Sequence, residues 1–255
     1  MNIEDKLRIY NGYIHNSINR WKSQIKMDES LFQKILDNLI ILNSREIRSL
    51  LRKVISNNRK LIESSNCYIC KFGEEGKSGD VLIYEFRHAF KEYSKKIIEG
   101  WKISKLPSGS EIVFIDDLIG TGNQSVKHIT DKLNQIMNPS HKGYLLCLCA
   151  TPQGIKYVHD NTNIKVMPGY ILEENQCQYL SGRCSVFSEE EKRFLKDINT
   201  RIDVNVNCYW SLGLLLAFYF TVPNNTLPFI WKHDVEYEHF DGVRKRWQAL
   251  LPRDY

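Results

Sequence analysis

The sequence predicts an α/β fold, a mainly parallel sheet flanked by helices, with a helical extension before it. Three observations point there. From about residue 66 onward, apolar runs of strand length alternate with stretches of helical periodicity. Within the run 111–118, the apolar residues Ile112 to Ile115 lead into Asp116 and Asp117, as in a parallel strand covered on both faces. Residues 1–63 carry helical periodicity without a strand pattern. Strands that alternate with helices pair in parallel through right-handed crossovers.

Taken in order, Leu31, Phe32, Ile35, Leu36 and Leu39 recur on one helical face, with Asp28 and Ser30 as candidate caps. A second helix begins near Ser44, with Ile47, Leu50, Leu51, Val54 and Ile55 inward. Its outer face carries Arg45, Arg48, Arg52 and Lys53, either simply solvated or a docking face for nucleic acid or a partner. Residues 67–72 read as a short strand, 73–80 as a glycine-rich loop, 81–98 as a helix and 106–110 as a turn. After the strand 111–118, Gly120-Thr-Gly122 opens a helix reaching about Met137. Strands are expected at 143–151 and 164–167. A charged helix over 188–198 starts with Ser188 and Glu191 spaced as a capping box. The apolar run 209–221 reads as a buried core helix. This gives three expected parts: a helical extension over 1–63, a core over 64–205, and a C-terminal helix and cap over 206–255.

The chain has 255 residues and a net charge of +5. That mild excess suits an anionic ligand or a nucleic-acid-bearing partner. The opening residues include early acids and no apolar core, unlike a secretory signal. The run 209–222 falls short of the ~20 residues that span a bilayer. Cys67, Cys70, Cys147, Cys149 and Cys208 sit in apolar text, as small core residues of a reducing compartment do, so a cytoplasmic location is expected. The pair Cys67 and Cys70 has CxxC spacing but no second pair follows, and Cys177 and Cys184 lack further ligands; no protein-built metal site is expected. His15, His88 and His128 have no partner identifiable from spacing.

The chemistry concentrates in residues 111–124, Glu-Ile-Val-Phe-Ile-Asp-Asp-Leu-Ile-Gly-Thr-Gly-Asn-Gln. A strand delivers two adjacent carboxylates to its carboxyl end, where open α/β sheets bind ligands. The helix that follows offers unpaired N–H groups and the positive end of its dipole. Small residues let those groups approach a phosphate. Carboxylates accept hydrogen bonds from paired sugar hydroxyls. One end of the segment therefore suits phosphate and the other ribose.

Positions 112–122 resemble the ribose-phosphate signature of the type I phosphoribosyltransferases: apolar residues, two acids, two further apolar residues, a small residue, Thr and Gly. The resemblance implies a phosphoribosyltransferase-like parallel sheet that binds phosphoribosyl pyrophosphate or a nucleotide with Mg2+ and carries out glycosyl transfer. Carried over, Asp116 and Asp117 hold the ribose hydroxyls, and Gly120, Thr121, Gly122, Asn123, Gln124 and Ser125 cradle the 5-phosphate. The chain departs from the pattern where Asn123 and Gln124 replace Gly and a hydroxyl residue, with Ser125 left to supply the hydroxyl. Gly76-Lys-Ser-Gly-Asp80, Tyr84-Glu-Phe-Arg87 and the stretch from Pro223 to Trp231 look like a divergent group associated with bacterial conflict and anti-phage systems, including retron-linked effectors. That group implies an effector role, with a protein or nucleoprotein partner and a homodimer as further possibilities. The alternative is a non-catalytic nucleotide-binding or adaptor subunit on a nucleoprotein assembly.

Two further clusters follow from the resemblance. The loop after the first core strand would meet pyrophosphate through Lys71, Gly73, Lys77, Ser78 and Gly79, with Arg87 close behind; otherwise it is an ordinary surface loop. Its Gly76-Lys77-Ser78 also ends like a P-loop, but Lys71 stands where the first glycine should be. Asn224 and Asn225 could read a base edge, and Trp231 could stack on it; otherwise the segment is a structural turn.

Overall fold

The structure is a computed structural model that describes residues 3–10, 17–25, 27–203 and 209–253. His15 and Cys208 lie outside the described residues. The chain forms two compact units, Met1–Asn43 with Glu173–Tyr255, and Ser44–Leu172.

The first stretch contains α1 (Ile3–Leu7), α2 (Ser17–Ser23), α3 (Glu29–Asn38) and β1 (Ile40–Leu42). The middle stretch holds α4 (Ser44–Asn57), α5 (Arg59–Glu63), β2 (Cys67–Lys71), α6 (Ser78–Ala89), β3 (Glu111–Ile119), α7 (Asn123–His128), α8 (Asn134–Ile136), β4 (Lys142–Ala150), α9 (Pro152–Asn161) and β5 (Lys165–Ile171). The last contains α10 (Glu174–Cys177), α11 (Glu189–Ile202), β6 (Leu216–Phe218), α12 (Pro228–Trp231), β7 (Val235–Glu238) and β8 (Arg244–Trp247).

In the middle unit the sheet runs β2-β3-β4-β5, every pair parallel. The two inner strands are the most apolar, and Ile112, Phe114, Leu145 and Cys147 are fully buried. Covered strands of this kind need helices on both faces. The amphipathic α4 buries Ile47, Leu51, Val54 and Ile55. It belongs with the sheet, packing on β4 and β5, although the sequence placed it in an extension ending at residue 63. Its polar side is partly committed. Arg48 Nε lies 2.6 Å from the buried Glu85 carboxylate, and Lys53 Nζ donates to the Gly169 carbonyl at 3.0 Å. Arg45 and Arg52 are exposed.

Two helical expectations are corrected. The helix expected over 81–98 starts at Ser78 and stops at Ala89. Phe90 leaves the helical region, and a 3-10 turn, Lys91–Lys96, follows. Phe90 packs between Phe86 and Tyr93, and the chain then lays Ile98 beside β2, its N–H bonded to the Ile69 carbonyl at 2.8 Å. Edge pairing thus explains apolar residues whose spacing had suggested a longer helix. The run 209–221 is likewise no helix. A 3-10 turn, Tyr209–Leu212, ends at Gly213 with φ +63°, and β6 pairs in parallel with β1. A Cβ on Gly213 would lie 2.5 Å from Leu180 Cγ, so only glycine fits the turn. An unbroken apolar run cannot by itself separate helix from buried strand.

Asp28 caps α3 by accepting from Leu31 N–H at 2.8 Å. The capping box of α11 is present in full: Ser188 Oγ accepts from Glu191 N–H at 3.2 Å, and the Glu191 carboxylate accepts from Ser188 N–H at 2.6 Å. Ser188→Ala removes one of these bonds and is expected to cost about 1 kcal/mol. The check is a lower urea midpoint for the full chain with an unchanged far-UV spectrum.

Candidate functional site

The acid pair lies at the carboxyl end of β3, an inner strand. Asp116 is registered against Cys147 of β4. Its Oδ1 accepts from Asp117 N–H at 2.9 Å, and Asp117 Oδ1 accepts from Leu118 N–H at 2.8 Å. Ser78, at the start of α6, lies near enough to Asp117 to favour its charged form. Both aspartates are half-buried and keep part of their surface open. Burial, and then the charge of its neighbour, pushes Asp116 well above the ordinary carboxylate range. Burial also raises Asp117, offset by Asp116, Leu118 N–H and Ser78. Two carboxylates this close resist ionising together, so the ligand-free pair holds a proton more readily than isolated acids. The same burial and the same acids push the Cys147 thiol up.

The loop 120–122 turns immediately beyond. Gly122 takes the left-handed conformation at φ +83° and precedes a continuous helical run over 123–136, in which residues 129–133 form a π turn. The first i→i−4 bond runs from Val126 N–H to Gly122 C=O at 2.9 Å. The N–H groups of Asn123, Gln124 and Ser125 come before it, at the positive end of the run. Asn123 N–H has only a long 3.5 Å contact to Thr121 Oγ1. Asn123 and Gln124 are exposed, whereas Ser125 is buried at 4% exposure.

Two residues not singled out in the sequence set this loop. Thr151, fully buried at the start of α9, donates its hydroxyl to Gly120 C=O at 2.6 Å and accepts from Gly154 N–H at 3.0 Å. A Cβ on Gly154 would lie 2.1 Å from the Gly120 oxygen, and one on Gly122 would lie 2.8 Å from the Gly154 oxygen. The available signal was Thr151-Pro152, a helix cap followed by proline at the first helical position.

The loop between β2 and α6 lies at the same end of the sheet, because β2 runs parallel to β3. Gly73 and Gly76 have φ of +87° and +71°, and space is open around both. Gly79 is closed off, since a Cβ there would lie 2.4 Å from Phe72 O. Lys71 Nζ sits 2.7 Å from Asp80, and Asp80 also accepts from Gly76 N–H at 2.7 Å. Its bond to Asp80 raises the Lys71 ammonium and keeps it charged. Lys77 is exposed. Glu74 reaches Lys132 at 2.7 Å, tying this loop to the helical run over 123–136. Arg87 is a correction: it lies in the last turn of α6, about 13 Å along the axis from Ser78, away from the loop. His128 packs against Phe72 at 4.7 Å with its imidazole pushed down by burial, and His88 packs on Tyr84 at 4.4 Å.

Asn224, Asn225 and Trp231 belong to the other unit. Trp231 is 4% exposed, donates its indole N–H to Thr226 C=O at 2.9 Å, and has the Arg253 guanidinium 5.4 Å from its ring. Arg253 also bonds the Asn224 side chain, and Asn225 C=O accepts from Leu214 N–H. Stacking on a base needs an open ring face, which Trp231 lacks; this segment is a packed turn. Cys67 and Cys70 are buried thiols, each pushed up to about 11 chiefly by burial. Among the described residues no three His, Cys, Asp or Glu side chains cluster as metal ligands. No helix of the described residues is long and apolar enough to cross a membrane.

The parallel sheet and this strand–loop–helix site define a phosphoribosyltransferase-like fold. The sequence matches the PRTase-CE family over residues 18–253, and the chain belongs to that family. No curated protein matches. Among solved structures it is similar to orotate phosphoribosyltransferase from Aeropyrum pernix, at 18% identity and TM-score 0.34, covering 49% of this chain and 69% of that one. It is also similar to the Helicobacter pylori xanthine-guanine-hypoxanthine phosphoribosyltransferase, at 11% identity and TM-score 0.35, covering 54% of this chain and 92% of that one.

The raised Asp116 makes a pH prediction. A carboxyl whose folded pKa exceeds its unfolded value of about 3.9 stabilises the fold fully only below that unfolded value, and the contribution is lost as pH rises through the folded pKa. Asp116→Asn, which carries no charge, is therefore expected to raise the melting temperature of the ligand-free protein at pH 7, with the gain shrinking toward pH 4. Thermal unfolding of both proteins across that range checks it.

Proposed function

We propose that the chain binds a ribose 5-phosphate group, as phosphoribosyl pyrophosphate or a nucleotide, between Asp116–Asp117 and the N–H groups of residues 121–125. One observation carries this reading: the acid pair and the helix start are held at the end of one inner parallel strand, with the loop between them clamped by Thr151. The carboxylates would accept from the 2- and 3-hydroxyls, and the helix start would meet the phosphate. The open backbone at Gly73, with Lys77, would face a pyrophosphate; Lys71 and the Gly76 N–H would hold the loop in shape through Asp80.

Mg2+ fits this arrangement as an ion shared with the ligand. The chain supplies two adjacent carboxylates and no third protein ligand among the described residues, and Mg2+ is commonly held by one or two carboxylates with phosphate oxygens. When bound, it would neutralise charge on the pyrophosphate. The chain's own contribution is positional: it orients the ribose, fixes the phosphate and holds the acids half-buried for their charge to act at short range. The reaction such a site supports is substitution at C1 of the ribose, without a covalent enzyme nucleophile.

The buried free thiols support a cytoplasmic location. A role as an effector in bacterial anti-phage defence is supported by the resemblance of residues 76–87 and 223–231 to that group. Asn123 and Gln124 at the loop end support a second reading, a nucleotide-binding subunit without turnover.

Calorimetry with phosphoribosyl pyrophosphate and Mg2+ tests the site. The wild type should bind saturably, and Asp116→Asn/Asp117→Asn should lose about 100-fold or more in affinity, the worth of two charge-assisted bonds. No binding by folded wild type, or equal binding by the double variant, overturns the proposal. Pyrophosphate release in the same samples separates an enzyme from a binding subunit.

A further inference from the structure

At 62% exposure, Trp101 is the most exposed large hydrophobic side chain among the described residues. It stands on the 3-10 turn Gly100–Lys105, which is anchored by the fully buried Ile103 two positions on. The ring is therefore held outward by an ordered turn. Lys105 Nζ lies 4.7 Å and Lys102 Nζ 5.3 Å from the ring centroid. Neither ammonium has a carboxylate within ion-pair distance among the described residues, whereas Lys71, Lys132 and Lys156 in the same unit all do. The neighbouring turn Lys91–Lys96 adds Lys91, Lys95 and Lys96, so residues 91–105 carry five lysines against Glu92 and Glu99. Lys96 is committed to the fold, its Nζ donating to the Ser64 carbonyl at 2.5 Å, while Lys91 and Lys95 are exposed.

An indole left in water forgoes the free energy of burying its apolar surface. Here it is paired with two cations that lack counter-charges. A nonpolar peptide would cover the ring but bury the ammonium groups without compensation. Free phosphate would use the lysines and ignore the ring. A strand of nucleotides uses both, since an unpaired base stacks on the indole while its phosphates meet the lysines. A duplex hides its base faces and would use only the charge. We propose that Trp101, Lys102 and Lys105 form a platform for single-stranded nucleic acid, independent of the ribose-phosphate site.

The test is fluorescence anisotropy of the full chain with labelled oligothymidylate and oligouridylate of about 15 nucleotides, titrated at several salt concentrations. Saturable binding that weakens with salt is expected. Trp101→Ala should weaken it by about 5- to 100-fold. Lys102→Ala/Lys105→Ala should reduce the slope of log affinity against log salt by about 1.4. Arg45→Ala/Arg52→Ala and Asp116→Asn/Asp117→Asn should both bind like the wild type, the latter separating this platform from the other site. Circular dichroism verifies that each variant is folded. Absence of binding, equal affinity for Trp101→Ala and wild type, or preference for a duplex of the same length overturns the proposal.

Discussion

The site depends on a place where two stretches of backbone touch without side chains between them. The Gly120 carbonyl points at the start of α9 so closely that Gly154 has no room for a Cβ, and the Thr151 hydroxyl bridges the gap. Thr151 N–H also bonds Ile119 C=O at 3.0 Å, so the ladder between β3 and β4 continues to the edge of the loop. This contact fixes where β3 ends and where Gly122 turns into its left-handed conformation. The direction of the helical run over 123–136 follows from that turn, and with it the aim of its first N–H groups. The acid pair is placed by the same strand end. A larger residue at 154 would force the loop away and disturb both halves of the site together.

The acid pair illustrates how function and stability pull apart. Two half-buried carboxyl groups side by side are an unfavourable arrangement for an empty protein. Bonds from the strand's own N–H groups reduce the cost without removing it. Strain of this sort persists where the surroundings over-determine it, and here the sheet and the clamped loop do so. A ligand carrying hydroxyl donors would relieve it.

Sequence legibility tracked the range of the forces involved. The strand over 111–119, its terminal acids and the turn were visible because they are contiguous and their pattern is local. The caps at Asp28 and Ser188 were visible for the same reason. Thr151 and Gly154 were missed, since their role is set by a neighbour more than thirty positions away. Arg87 looked close to the loop in sequence, but nine helical residues carry it away. Trp231 looked available as an aromatic near polar residues, yet its ring is covered and its N–H engaged. The run 209–221 was misread because buried strand and buried helix share a composition, and the decisive feature was one glycine packed against Leu180.

The most direct measurement is a crystal structure of the chain soaked with ribose 5-phosphate. The account predicts phosphate density against the N–H groups of residues 121–125, with the 2- and 3-hydroxyls on Asp116 and Asp117, and Thr151 still bonded to Gly120. Ligand density elsewhere, or density that leaves the acid pair untouched, would contradict it.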